Sequence, residues 1–422
     1  MKVIICGLGY VGVTAAACLI KDGHHVVGVD VNEVKVGDVA AGRSPVSEPG
    51  VGELLAQGVS EGRLETATSV ADHLASSDMA LICVGTPSDA SGNLELGYIM
   101  AVAQEIGETL ADMPIREEAP LIVFRSTMPP GTMENKIIPT LTELAGAPGE
   151  RYEIAFNPEF LRESTAIADY YAPAKIVIGE REPGVSQQLR GLYAGIDAPI
   201  FEMPFTAAEM VKLTDNSFHA LKVAFGNEVG RLALDLSVDP QHVIDAFLAD
   251  TRLNISPAYF RPGGPFGGSC LPKDLRAVNA LASSRGIQIP VIASALPSNA
   301  AHKTFLAERV MNEAAPGTTI LLLGLSFKSD TDDLRESPLI DLAETLLGKG
   351  YNLRIFDPDL KGRTLVGANL RFVEEHLPHL SRLLVEDVSD VVDPALVVIG
   401  KPMKAVTESL DPSLPVINLA LL

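Results

Sequence analysis

The chain has 422 residues, 47% of them hydrophobic, and a formal net charge of −21. That length exceeds one ordinary domain and predicts two or three. The acidic balance argues against a nucleic-acid or anionic-membrane surface, both of which need a basic face. The apolar runs, broken by Gly, Pro and charge, are too short to span a membrane. The amino terminus enters a strand at once, with no basic stretch leading into an apolar signal segment, so a cytoplasmic protein is expected. Of the four cysteines, Cys6, Cys18 and Cys83 lie in apolar strand or helix patterns and read as reduced core thiols. No Cys-x-x-Cys or histidine pair suggests a metal.

Lys2 to Cys6 reads as a buried strand running into Gly7-Leu8-Gly9-Tyr10-Val11-Gly12. An alanine-rich helix follows, and then a second strand, His25 to Val29, ends in Asp30. Strand, Gly-x-Gly-x-x-Gly, helix, strand and acid together form a dinucleotide fingerprint. Gly7 permits the tight turn, Gly9 lets a pyrophosphate approach the helix N-terminus, and Gly12 lets helix pack on strand. Asp30 would bind the adenosine ribose hydroxyls and repel a 2′-phosphate, which favours NAD over NADP. FAD proteins share the unit and stand as the competing reading. Further strands over 79–84 and 120–124 end in Gly85-Thr86-Pro87 and Arg125-Ser126-Thr127. Thr86 and Thr127 could meet the cofactor there or cap helices. In Asn157-Pro158-Glu159-Phe160-Leu161-Arg162-Glu163 the two glutamates share a face if the segment is helical; a capping acid and a solvated acid are the plainer alternative. Strands at 176–179 and 199–201 carry the first domain to about residue 205.

A long helix is expected from Thr206 to about Leu236. At about 100° per residue, Asn216, His219 and Asn227 fall at about +40°, −20° and +60° from Lys212. A stripe of Lys, Asn, His and Asn suits ligand donors, or else a solvated face. Shorter helices follow to about residue 300, interrupted by Pro262-Gly263-Gly264-Pro265-Phe266-Gly267-Gly268-Ser269-Cys270-Leu271-Pro272-Lys273-Asp274. Pro272 suits a first helical turn, so the helix should begin near Leu271, with Cys270 at its positive end. Lys273 adds charge, Asp274 lies one turn on, and the glycines let a bulky ligand approach. Cys270 therefore reads as a nucleophile, against the alternative of a buried structural thiol. An α/β pattern restarts near Thr318, with strands to Leu323 and from Leu353 to Asp357, and a helix capped by Ser337-Pro338 between them. It lacks the glycine fingerprint and so should bind a different nucleotide.

The fold class is therefore α/β: two Rossmann-like doubly wound domains joined by a long central helix and a small helical domain. The boundaries expected are 1–205, 206–300 and 301–422. An NAD enzyme that only interconverts alcohol and ketone needs no cysteine. Oxidation of an aldehyde to an acid does benefit from one, because a thiohemiacetal can give up hydride and leave a thioester for water to hydrolyse.

Across nearly its whole length the chain resembles the nucleotide-sugar 6-dehydrogenases, the UDP-glucose/GDP-mannose dehydrogenase family. The motifs carrying the resemblance are the glycine triplet, Val84-Gly85-Thr86-Pro87, Asn157-Pro158-Glu159-Phe160-Leu161, Gly267-Gly268-Ser269-Cys270, Lys273-Asp274 and Asp332-Asp333-Leu334-Arg335. Leu253-Asn254-Ile255-Ser256, Arg261-Pro262-Gly263 and Arg335-Glu336-Ser337-Pro338-Leu339 resemble its GDP-mannose branch, which serves alginate synthesis. Ala258 and Gly264 depart from that branch, which has bulkier residues there. The resemblance implies a four-electron oxidation of a sugar C6 alcohol to a carboxylate with two NAD. It implies Cys270 as nucleophile, Glu159 as a proton relay through water, Lys212 and Asn216 as oxyanion stabilisers and Asp274 as support for thioester hydrolysis. Glu163, His219, Asn227, Tyr259, Arg261 and Lys328 match sugar-nucleotide contacts. Tyr10, Val11, Asp30, Lys35, Thr86, Thr127, Lys273 and Arg335 match NAD contacts. GDP-mannose is the favoured substrate, with UDP-glucose or a UDP-hexosamine as alternatives, and a homodimer or dimer-based oligomer with a shared site is implied. A catalytically silent nucleotide-sugar-binding protein is the rival of another class; a 3-hydroxyacid dehydrogenase would leave Cys270 and the third domain unexplained.

Overall fold

The computed structural model describes all residues except 88, 90–92, 183, 257–258, 260–261, 269, 327–330, 332, 361–364, 366 and 421–422. The chain divides into two compact units, Met1–His219 and Ala220–Leu422. The division falls inside one helix, Phe205–Asp235.

In the first unit, eight strands form one sheet: β1 Lys2–Cys6, β2 His25–Val29, β3 Leu64–Ala67, β4 Met79–Ile82, β5 Leu121–Phe124, β6 Glu153–Phe156, β7 Ile176–Gly179 and β8 Ile200–Met203. Their order is β3-β2-β1-β4-β5-β6-β7-β8. All neighbours pair in parallel except β6 and β7. The strands are short, apolar and rich in Val and Ile because helices cover both faces. Val3, Ile4 and Ile5 of β1 are fully buried, and truncating one to alanine costs roughly 2–5 kcal/mol. The helix Tyr10–Lys21 buries every residue from Gly12 to Ile20, so its small Ala-Ala-Ala run packs close to the sheet. Chain order reverses between β1 and β4, which places a crevice beyond the carboxyl ends of these strands. Burial pushes the thiols of Cys18 and Cys83 up to about 12 and about 11, and drives Cys6 upward too, as expected for inert core cysteines.

The second unit holds a four-stranded parallel sheet in the order β10-β9-β11-β12, formed by β9 Thr319–Leu323, β10 Asn352–Phe356, β11 Leu396–Ile399 and β12 Val416–Asn418. The tail after Gly400 thus contributes the edge strand β12. The remainder is helical, including Pro240–Leu248, Leu271–Ser284 and Ala295–Glu313. Two buried glutamates on the long helix each accept two main-chain N–H bonds, one in each unit. Glu209 takes Gly131 and Met133 at 2.5 and 2.8 Å; Glu228 takes Val291 and Ile292 at 2.8 and 3.0 Å. Among the described residues no helix is long and apolar enough to cross a membrane, and no cluster of His, Cys, Asp and Glu suits a metal ion.

Candidate active site

The crevice of the first unit opens into a cavity of about 500 Å³ lined by Gly7, Gly9, Asp30, Lys35, Val84 and Gly85, among others. The three glycines do separate work. Gly7 stands at φ +100°, where a Cβ would come within 2.9 Å of the Val84 nitrogen, and a Cβ on Gly12 would lie 1.8 Å from the Gly7 carbonyl oxygen. A Cβ on Gly9 would meet nothing within 4 Å, so it faces free space at the helix N-terminus. Asp30 accepts the Leu8 and Asn32 N–H groups at 2.8 and 2.9 Å and pairs with Lys35 at 3.3 Å. A carboxylate has further lone pairs for ribose hydroxyls. Open glycine, helix end and acid together fit a dinucleotide.

Other residues expected at the cofactor are tied elsewhere in the same unit. The Thr86 hydroxyl donates to the Thr127 carbonyl at 2.7 Å and joins the ends of β4 and β5; no helix starts at either residue, so neither is a cap. Val11 packs on the core. The Tyr10 hydroxyl donates to Glu48 at 2.5 Å and lies 3.1 Å from the Arg162 carbonyl.

Lys212 and Glu159 meet: Nζ lies 2.9 Å from Oε1, with both side chains largely buried. The second oxygen of Glu159 accepts the Leu161 N–H at 2.7 Å. Lys212 and Lys175 stand 5.5 and 4.7 Å from the centre of the Phe160 ring, and Lys175 pairs with Asp215 at 2.5 Å. Residues 157–163 are not helical, so Glu159 and Glu163 do not share a helical face; Glu159 turns inward and Glu163 is exposed. The polar stripe divides as well. Lys212 is 8% exposed, whereas Asn216, His219 and Asn227 face solvent. Three of the four positions thus face solvent, and Lys212 is the buried member of the stripe.

In the second unit Cys270 is the N-cap of helix Leu271–Ser284, with Pro272 in the first turn and the Asp274 N–H bonded to the Cys270 carbonyl at 2.9 Å. Cys270 is exposed while the other three cysteines are buried. The structural-thiol alternative fails on that exposure. The segment before it is fastened by two side chains of helix Ala295–Glu313. Asn299 bonds both main-chain groups of Phe266 at 2.9 and 2.8 Å, and the His302 ring nitrogen Nε2 bonds the Gly263 carbonyl at 2.7 Å. A Cβ on Gly267 would lie 2.4 Å from the Glu336 carbonyl oxygen, which explains one glycine of the run. Lys273 and Asp274 form an exposed pair at 3.4 Å. Arg335 grips Asp333 through two bonds of 2.9 and 2.8 Å, which hold its guanidinium above its usual pKa. Tyr259 is exposed at φ +65° and borders a cavity of about 560 Å³ with Lys303, Pro338, Lys401 and Ala420. Arg261, Lys328 and Ala258 lie outside the described residues.

Sequence reasoning missed Glu48, Lys175, Asn299 and Lys401, which brace these sites. Asn299 gave no local signal. Asp357, the acid that Lys401 holds, stands after the second strand of its unit as Asp30 does, and that likeness could have been followed.

The glycine turn, the open helix end and the adjoining acid define a dinucleotide-binding unit of the kind that NAD-dependent dehydrogenases use. Models of the UDP-glucose/GDP-mannose dehydrogenase family match the NAD-binding domain at residues 1–197, the central domain at 206–301 and the UDP-binding domain at 321–393. The chain belongs to this family of NAD-dependent nucleotide-sugar dehydrogenases. It is 46% identical over 402 residues to the GDP-mannose 6-dehydrogenase of Pseudomonas putida, covering 95% of this chain and 91% of the relative. It superposes with a TM-score of 0.93 and 42% identity on a GDP-mannose dehydrogenase from Pseudomonas aeruginosa solved as a ternary complex, covering 99% of this chain and 96% of the other. A UDP-glucose dehydrogenase from Pyrobaculum islandicum shares 34% identity at a TM-score of 0.56, over 99% and 94% of the two chains.

Proposed function

We propose that this enzyme oxidises C6 of GDP-mannose to the carboxylate of GDP-mannuronate, consuming one water and two NAD and releasing two NADH. The observation that carries the chemistry is Cys270, exposed at the start of a helix while every other cysteine is buried. The choice of sugar nucleotide rests on the likeness to the GDP-mannose 6-dehydrogenase. Bound NAD accepts a hydride in each of the two oxidations. In the first, Glu159 takes the C6 hydroxyl proton through a water and Lys212 donates to the forming alkoxide. In the second, the Cys270 thiolate adds to the aldehyde carbon, and Lys212 and Asn216 donate to the new oxyanion. Hydride departure leaves a thioester. Water then adds with help from Asp274, the carbon–sulfur bond breaks, and the thiolate returns to Cys270. The close Lys212–Glu159 pair supports these paired roles, since one group donates where the other accepts.

Glu163, His219, Asn227, Tyr259, Arg261 and Lys328 are assigned to the sugar nucleotide. Tyr10, Val11, Asp30, Lys35, Thr86, Thr127, Lys273 and Arg335 are assigned to NAD. Domains of 1–205, 206–300 and 301–422 would bind NAD, carry catalysis and pairing, and bind the sugar nucleotide. Pairing of two copies along the long helix is part of the reading. It is supported by Leu221, which stays exposed there, whereas Phe225 packs on Phe247 at 5.6 Å. NADH formation with GDP-mannose, UDP-glucose and UDP-hexosamines tests the assignment. The expected result is two NADH per GDP-mannose, and acid formation lost in Cys270→Ser with both ligands still bound. A preference for UDP-glucose would overturn the substrate, near-normal acid formation by Cys270→Ser the covalent route, and a fully active monomer in light scattering the pairing.

A further inference from the structure

We propose that Glu48 is a positioning residue for this reaction: its carboxylate holds the turn after Glu163 and ties it to the helix where the dinucleotide binds. Glu48 is 8% exposed, yet no Lys, Arg or His pairs with it among the described residues. A buried carboxylate without a cation is costly unless donors surround it. Here three do: the Tyr10 hydroxyl at 2.5 Å, the Ser164 N–H at 2.7 Å and the Ala166 N–H at 2.9 Å. Ser164 stands at φ +70°, a left-handed conformation that a Cβ disfavours. Glu48 therefore stabilises a turn that this sequence would not readily keep unaided.

The turn fixes one end of the catalytic loop, next to Arg162, which binds Asp169 through its N–H and its guanidinium. At the other end, Asn157 donates to the Val177 carbonyl at 2.8 Å and accepts from Tyr193 at 2.5 Å. Glu159 and Glu163 lie between the two. Tyr10 opens the helix whose N-cap, Gly9, borders the dinucleotide cavity, so one hydroxyl links that helix to the loop. The proposal rests on the roles given above to Glu159 and Glu163.

The test uses Glu48→Gln, Ser164→Gly and the double variant of the full-length enzyme. Glu48→Gln is expected to lower kcat by about tenfold to a hundredfold, as misplacement of a reacting group does, with the Kd for NAD within about twofold of the parent. Ser164→Gly alone should keep near-normal kcat. Added to Glu48→Gln it should restore most of the loss, because glycine takes positive φ without the clamp. If Glu48→Gln does not fold, Glu48→Asp, whose shorter side chain draws the carboxylate back from the Ser164 and Ala166 N–H groups, carries the same comparison. Full activity of Glu159→Gln would overturn the reading of the loop and this proposal with it. With Glu159→Gln inactive, normal turnover by Glu48→Gln, or no recovery in the double variant, would overturn the proposal alone.

Discussion

In the first sheet the Gly7 N–H donates to the Val29 carbonyl at 2.7 Å, Gly7 stands at φ +100°, and Asp30 accepts the Leu8 N–H at 2.8 Å. In the second sheet the Gly324 N–H donates to the Phe356 carbonyl at 2.8 Å, Gly324 stands at φ +96°, and Asp357 accepts the Leu325 N–H at 2.8 Å. The strand-turn-acid geometry is the same. The crevices differ in what the next strand delivers. After β4 come Cys83, Val84 and Gly85, which leave the cavity beside Asp30. After β11 comes Lys401, 3% exposed, whose ammonium lies 2.8 Å from Asp357, 2.7 Å from Asp359 and 2.5 Å from Ser326. A Cβ on Gly324 would lie 2.5 Å from the Lys401 stem. In both places the acid serves the backbone of its own turn first. Each acid also has a lysine partner: Lys35 reaches Asp30 at 3.3 Å from a half-exposed position and leaves it open to a cofactor, whereas the buried Lys401 closes over Asp357 at 2.8 Å.

The largest effect expected from this contrast is on stability. Lys401→Met leaves Asp357 buried without its cation and should cost roughly 3–5 kcal/mol in urea unfolding, with part recovered by adding Asp357→Asn. A loss under about 1 kcal/mol would break the contrast, since surface pairs contribute no more than that. Next comes Asp30→Ala, which removes charged hydrogen bonds worth roughly 1.5–3 kcal/mol and should weaken NAD and relax discrimination against NADP in steady-state kinetics. An unchanged preference for NAD would remove Asp30 from the ribose.

Gly9→Ala sharpens the comparison by separating binding from folding. Its Cβ would enter open space, so stability should stay within about 0.5 kcal/mol while NAD binding weakens. Gly12→Ala should destabilise outright, because its Cβ would overlap the Gly7 carbonyl; equal Tm values for the two variants would contradict this division. The smallest effect is a pH dependence found at Glu48, in the first unit. The Tyr10 hydroxyl, followed by the Ala166 and Ser164 N–H groups, holds the Glu48 carboxyl below its ordinary value. A depressed folded pKa means the stabilisation is full above the unfolded value of about 4.3 and fades as pH falls through the folded one. Below about pH 4, the unfolding midpoint of the parent should therefore fall more steeply than that of Glu48→Gln; parallel curves would count against the clamp.

The amino-acid sequence by itself determined the local framework. β1, the glycine turn, its helix and Asp30 were legible because strand period, turn chemistry and helix start are set by neighbours along the chain. The same holds for Cys270 ahead of Leu271 and for the Ser337 cap, whose hydroxyl accepts the Leu339 N–H. Tertiary structure alone decided which polar groups meet. Glu159 finds Lys212 across 53 positions, Lys401 finds Ser326 across 75, and Glu48 finds Ser164 across 116. No periodicity encodes such pairs; they form where packing of the sheet and its helices removes water from charged groups and leaves them only each other as partners. That is why the sequence placed Glu159 and Lys212 on separate elements, left Glu48 unremarked, and read Asp357 as the end of a strand when it is one half of a buried ion pair.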